Sequence, residues 1–194
     1  MNAGSPVPDL PPYSLDVQAL DLGPGVKAVG LELLETESRE PVNGAEASEI
    51  WSAALVALAA NEPYVVDFFS HVDRVREFCG AHGIAMREAA SRCLVVPQPS
   101  VELLRQLIAR FESETFGARV GPTAATGDSE LENELSRRGL DAYQQGYGRY
   151  TCCAICEPND GWITLLSDSL WPSEVIRRFR PALQRFHVYM ARPQ

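Results

Sequence analysis

Residues 149–168 carry the clearest structural signal in the chain and read RYTCCAICE-PNDG-WITLLSD. Two apolar runs flank four residues that are typical of a tight turn, with Gly161 available for a left-handed position. Both runs are apolar at consecutive positions, which is the pattern of strands covered on each face. We therefore predict a β-hairpin in the middle of a sheet. Trp162 is expected to begin its second strand and to pack in the core with Leu166 and Trp171.

The segment after this hairpin predicts a helix and a closing strand. Pro172 suits the first turn of a helix, and Pro181 is expected to kink or shorten it. Residues 186–191 then predict a strand that ends the domain. The apolar residues that recur with helical spacing are Val175, Ile176, Phe179 and Leu183.

The first third of the chain predicts a second hairpin, with strands over residues 14–20 and 26–34 joined by Gly23-Pro24-Gly25. This glycine-rich segment superficially resembles the nucleotide-binding loop of methyltransferases and Rossmann domains. Such a loop must lead into a helix, and no helix fits between Gly25 and Glu32. We therefore interpret the segment as a hairpin turn.

The middle of the chain predicts helices separated by one short strand. One apolar stripe indicates a helix over residues 50–58, and another indicates a helix from Asn61 to Cys79. The remaining predicted elements are a buried strand over residues 93–96, a helix from the cap Ser100 to near Gly117, a mobile segment over residues 117–128, and a weaker helix from there to Tyr143, interrupted by Gly139.

Together these elements predict an α+β fold in the order ββαα-β-αα-ββαβ. We expect one domain over residues 14–194, with a mixed, mostly antiparallel sheet of five to six strands covered by four to five helices. Residues 1–13 are rich in proline and predict a disordered or extended lead-in. Both ends of the domain follow a hairpin–helix–strand pattern, which raises the possibility of an internal duplication.

The charge is acidic and unevenly distributed. The 194 residues carry a net charge of −9, with ten acidic and two basic side chains in residues 1–62. A protein that holds nucleic acid needs a broad positive surface, so the sequence predicts no nucleic-acid partner. No apolar run is long enough to span a membrane, and the N-terminus lacks the features of a secretory signal. We expect a cytoplasmic protein without membrane association. Sixteen of the seventeen basic residues are Arg, which indicates a GC-rich bacterial origin.

The chain has five cysteines, and their odd number without an export signal predicts reduced, mostly buried thiols. Cys153 and Cys156 have the spacing of a redox pair, but a strand would point them to opposite faces. A zinc site would need these two residues together with Cys79 and His82. We favour structural cysteines and predict no cofactor and no metal.

Two further histidine patterns are candidates for catalytic groups. Asp67, His71 and Arg74 would share one stripe of the predicted helix, and a carboxylate that orients a histidine is half of a catalytic dyad. The same spacing is also typical of a solvated helix face with weak charge pairs. His187 is expected in the last strand, on the face opposite Phe186, where it is either a proton donor or an edge histidine.

Residues 171–194 hold one acidic residue against five arginines and form the only dense positive patch of the sequence. The candidate binding residues lie on or just after the last predicted helix and are Arg177, Arg178, Arg180 and Arg185. Such residues either offset the helix dipole and pair with nearby carboxylates, or bind an acidic partner.

The absence of recognisable catalytic motifs favours a non-catalytic protein whose partner is another protein. We expect an intracellular interaction or regulatory module, an acidic accessory or inhibitor of the immunity type that masks a basic surface. The alternatives are a small enzyme with a dispersed Cys/His/Asp site and a Cys/His zinc-binding domain.

Overall fold

The computed structural model describes residues 11–190 except residues 24, 69–70, 90–92, 112, 126–128, 138–140 and 145. The described part forms one sheet of nine strands with helices on both faces. The strands are β1 Tyr13–Asp21, β2 Lys27–Glu35, β3 Tyr64–Phe68, β4 Arg87–Ala89, β5 Cys93–Pro97, β6 Phe116–Val120, β7 Cys152–Glu157, β8 Trp162–Leu166 and β9 Val188–Met190. The helices are α1 Gly44–Ala59, α2 Val72–Ala81, α3 Val101–Arg110, α4 Ser129–Leu135, α5 Asp141–Gln144 and α6 Pro172–Leu183.

The sheet has the strand order β4-β5-β3-β6-β7-β8-β2-β1-β9. Neighbouring strands are antiparallel except β1 and β9, which run parallel with Tyr13 opposite Val188. The sheet is therefore mixed and mostly antiparallel, and the α+β class predicted from the sequence is confirmed. Nine strands in the described residues exceed the predicted five to six.

Two apolar layers enclose the sheet. Helix α1 lies between α3 and α6 on one face, and it is buried on several sides, at Ile50, Trp51 and Leu58 among others. A smaller layer, which includes α4 and α5, covers part of the other face with Leu131, Leu135 and neighbouring tyrosines. No helix in the described ranges combines the length and the apolar character needed to cross a membrane.

Both predicted hairpins are confirmed. The pair β7–β8 lies in the middle of the sheet, and β1–β2 lies beside it, with Gly25 at its turn in a left-handed conformation. The stripe of α6 is buried as predicted, and the helix ends two residues after Pro181. Residues 1–10 of the predicted lead-in lie outside the described residues, and Tyr13 already begins β1.

The predicted helix from Asn61 to Cys79 is wrong in its first half. Tyr64–Phe68 forms β3, a fully buried strand between β5 and β6, and the helix begins only at Val72. The apolar spacing fits both structures. The strand is formed because its β-branched and aromatic residues pack on both faces of a central strand.

The predicted mobile segment over residues 117–128 is also wrong where the structure describes it. The third helix is capped by Ser100, whose hydroxyl accepts the Leu103 N–H at 3.2 Å, but it ends at Arg110. Phe116–Val120 is β6, and every residue of it is buried. Gly117 and Ala118 allow close packing in the sheet. Small residues are also common in loops, so composition alone does not distinguish a strand from a loop here.

The two ends of the chain repeat one order of elements, β1-β2-α1-β3 and β7-β8-α6-β9. Helices α1 and α6 contact each other on the same face. Strand β9 is parallel to and beside β1, whereas β3 is parallel to β7 with β6 between them. Internal duplication stays a prediction. In this topology the two units would be joined through the pairing of β2 with β8.

Candidate functional site

The arginines of α6 divide into two groups. Arg177 donates two hydrogen bonds to Glu174, at 2.7 and 2.8 Å, and Arg178 donates to Glu174 and to the Leu58 carbonyl. Hydrogen bonds from Arg177 and then Arg178 lower the pKa of Glu174 to about 2. These two arginines therefore pair within the domain, which is one of the two alternatives predicted for them.

Arg180 and Arg185 lie on other surfaces. Arg185 stacks on the Phe186 ring, with 4.5 Å between the guanidinium carbon and the ring centroid. Arg180 is exposed and lines a groove of about 710 Å³ beside β9. The remaining lining residues are Pro11, Pro12, Gln184, His187, Val188, Tyr189 and Met190, and we call this the β9 groove. His187 is not in the last strand as predicted, because it takes a left-handed conformation (φ 54°) just before β9.

Four of the cysteines, at positions 79, 152, 153 and 156, are free and buried. Cys153 belongs to the apolar cluster on one face of the sheet and Cys156 to the cluster on the other, as the strand pattern predicts. Burial raises the pKa of Cys153 to about 12. Within the described ranges, no three His, Cys, Asp or Glu side chains come together as metal ligands could.

Asp67, His71 and Arg74 do not share a helix face, so that prediction is wrong. Asp67 is buried in β3, and His71 precedes α2 with its Nε2 3.0 Å from Glu114 Oε1. Arg74 lies over the Phe111 ring at 5.7 Å. The dyad predicted from helical spacing fails because the chain changes from strand to helix between Asp67 and Val72.

Asp67 instead belongs to a buried polar cluster that the sequence analysis missed. Its carboxylate accepts a hydrogen bond from the Arg119 guanidinium and one of 2.8 Å from Tyr143 Oη. Both charged side chains are fully buried. Burial is the largest single effect and disfavours the charged guanidinium, but Asp67 and then Tyr143, Cys153 and Tyr150 together outweigh it, and the pKa of Arg119 is raised. The sequence signal that could have revealed this cluster is a single charged residue inside each of two otherwise apolar strands.

The buried polar cluster continues from Arg119 into the second helical layer. Arg119 Nη2 donates to the Ala142 carbonyl at 3.0 Å, and its Nε lies 3.5 Å from Glu134. Tyr150 Oη donates to Glu134 at 3.1 Å. Burial and then Glu134 raise the pKa of Tyr150. These bonds attach Glu134, Ala142, Tyr143 and Tyr150 to the centre of the sheet, so the arrangement positions the second layer.

Within the described residues, the second layer covers only part of its sheet face. Its apolar cluster reaches Ala28 and Leu166, and Ile155 packs against it, but the other side chains in the next two rows on β7, β8, β2 and β1 do not belong to it. The strand register places these rows side by side. They consist of Ile155, Thr164, Gly30 and Gln18, followed by Glu157, Trp162, Glu32 and Asp16, and we call them the open face.

Trp162 is the largest side chain on the open face. It is half-buried, and its ring lies over Gly30, where an added Cβ would come within 2.7 Å of it. Its indole N–H donates to Thr164 at 2.9 Å. The prediction that Trp162 and Trp171 are core residues is therefore wrong, since Trp171 is 54% exposed, whereas Leu166 is buried.

Acidic residues dominate the row that contains Trp162. Glu157 and Glu32 flank it directly, and Asp16 follows, paired with Arg39 at 2.6 Å. Partial burial and then Asp160 raise the pKa of Glu157. The open face is thus an aromatic surface with an excess of carboxylates. No family model, curated protein or solved structure matches the chain.

Proposed function

We propose that the protein is a non-catalytic interaction module that covers a basic surface of another protein with its open face. The observation that carries this proposal is Trp162, held over Gly30 in one row with three carboxylates, on a part of the sheet face that no helix within the described ranges covers. Tryptophan is enriched among the residues that dominate binding energy at interfaces.

The charge of this surface favours a cationic partner. Glu157, Glu32 and Asp16 lie in the row, and Arg39 is the cation paired there with Asp16. An arginine or lysine of a partner would gain both a carboxylate and the face of an indole ring. The net charge of −9 would accelerate encounter with such a partner at low salt.

The fixed position of Trp162 supports binding without rearrangement. Its indole N–H is already bonded to Thr164, and its ring lies over Gly30. A side chain that is ordered before binding loses less conformational entropy in the complex. The surrounding strands β7, β8, β2 and β1 each pair with a strand on both sides, which favours a rigid surface.

The test is an amide NMR titration of the full chain with a synthetic peptide of alternating Thr and Arg. The expected shifts are at the Trp162 indole and at amides of β1, β2 and β8. The double variant Glu32→Gln/Glu157→Gln should weaken binding about tenfold, since it removes two interfacial charges.

The matched control changes the same charge elsewhere. Glu49 and Glu77 are exposed on α1 and α2, and Glu49→Gln/Glu77→Gln should alter binding by less than about twofold. Equal weakening by both double variants would show that the peptide is attracted to the acidic protein as a whole and not to the open face, which would overturn the proposal. Shifts confined to other surfaces would likewise overturn the proposal.

A further inference from the structure

The β9 groove lies at the end of the sheet, on a strand that has one partner in the described part of the chain. Strand β9 pairs with β1, and its other edge faces away from the sheet. Edge strands present backbone N–H and C=O groups that can pair with a further strand. Tyr189, the middle residue of β9, is 55% exposed.

The groove walls combine apolar contacts with positive charge. Val188 and Met190 supply apolar surface, and Pro11 and Pro12 form part of the lining. Arg180 comes from α6, and the described residues that line the groove include no carboxylate. The groove is therefore a cationic site on an acidic protein.

Arg180 differs from its neighbours on α6 in what it contacts. Arg177 and Arg178 are both bound to Glu174, but no side-chain hydrogen bond or ion pair joins Arg180 to any residue within the described ranges. An exposed guanidinium beside an edge strand is suited to bind a carboxylate.

We propose that the β9 groove binds an extended acidic segment of a partner protein, which adds to β9 as a strand and places a carboxylate against Arg180. A second copy of β9 fits less well, because Arg180 would then face the Arg180 of the other copy. This proposal is independent of the open face, since the two surfaces share no residue.

The test uses fluorescence anisotropy of the full chain with two labelled peptides of alternating Val and charged residues, one with Glu and one with Lys. The Glu peptide should bind with a dissociation constant below about 1 mM, and the Lys peptide should not bind at this site. Arg180→Gln should weaken the Glu peptide about tenfold.

Arg177→Gln is the matched control, because Arg177 lies on the same helix but is paired with Glu174. It should change the affinity by less than about twofold. Equal losses in both variants, or no binding of the Glu peptide to the wild type, would overturn the proposal. Binding of the Lys peptide that Arg180→Gln weakens to the same extent would do so as well.

Hydrogen exchange tests the strand addition itself. Bound Glu peptide should slow the exchange of amides in Val188–Met190, and sedimentation should show that the chain stays monomeric when the peptide binds. Unchanged exchange in β9 would overturn strand addition. A dimer that the peptide displaces would identify a second copy as the occupant and overturn the acidic partner.

Discussion

Gly117 in β6 lies directly beneath the hydroxyl group of Tyr143, so that a Cβ added to Gly117 would overlap it. The same hydroxyl donates to Asp67 at 2.8 Å. The absence of a side chain at position 117 thus lets the second helical layer approach the sheet closely enough to complete the buried polar cluster.

We expect Gly117→Ala to lower the free energy of unfolding by about 1–3 kcal/mol, because the added methyl group displaces Tyr143. Tyr143→Phe already lacks the hydrogen bond to Asp67 that displacement of the ring would break, so the double variant should lose less stability than the two single losses combined. Urea denaturation of all four proteins measures this. Strictly additive losses would show that Gly117 and Tyr143 act separately.

Arg119→Met should destabilise the fold more than Asp67→Asn. Removing Arg119 leaves the Asp67 carboxylate buried without its cation and takes from Glu134 one of its two neighbouring arginines, which should reduce the free energy of unfolding by about 3–5 kcal/mol. In Asp67→Asn the amide oxygen would still accept from Arg119, but the amide nitrogen would replace the oxygen that accepts from Tyr143, so that one hydrogen bond is lost or must reverse and the loss should be about 1–3 kcal/mol. Denaturation near neutral pH compares the two, and the reverse ranking would contradict the cluster described above.

The pKa of Glu174 should be measurable by carboxyl carbon NMR during an acid titration. Its midpoint should lie near 2 and should rise toward the ordinary 4.5 in Arg177→Gln, with Arg178 still holding it below that value. Because the folded pKa is the lower one, this pairing stabilises the fold above about pH 4.5 and is lost as the pH falls toward 2. Arg180→Gln is the control and should leave the midpoint unchanged.

The thiols of Cys79, Cys152, Cys153 and Cys156 should resist modification at pH 8. All four are buried, and burial raises the pKa of each, so the reactive thiolate is rare in the folded protein. A Cys93→Ser variant leaves these four as the only thiols. A colorimetric thiol reagent should detect almost none of them in native buffer and four in denaturant. Rapid labelling of the native protein would show that the fold opens locally at β7 or at α2.

Local sequence signals were sufficient to predict the two hairpins and helix α6. A tight turn or an apolar helical stripe is encoded by residues close together in the sequence, and the structure confirms both hairpins and the buried stripe of α6. The strands β3 and β6 were missed because they are held in the sheet by partners distant in sequence. Val65 and Phe68 fit a helical stripe equally well, so spacing alone could not decide between the two structures.

The open face shows a second limit of sequence reasoning. Asp16, Glu32, Glu157 and Trp162 become neighbours only through the register of four strands. None of these residues stands out within its own segment. The apolar–polar alternation along one strand does not indicate which residues of the neighbouring strand lie next to it. The α6 arginines were easier to find because they are contiguous, but their partners, Glu174 and Leu58, divided them into two groups.

The strand order has a consequence for how the chain reaches its native state. Strand β2 pairs with β8, and Ala28 lies opposite Leu166, so the first hairpin joins the sheet only after most of the chain has been synthesised. Strand β1 likewise cannot complete its pairing until β9 has been synthesised, because Tyr13 lies opposite Val188. Contacts that close such long loops slow folding, so refolding should be slow for a domain of this size. Until β7 and β8 insert, the first hairpin exposes an unpaired apolar edge, and this is the stage at which we expect a chaperone to be needed.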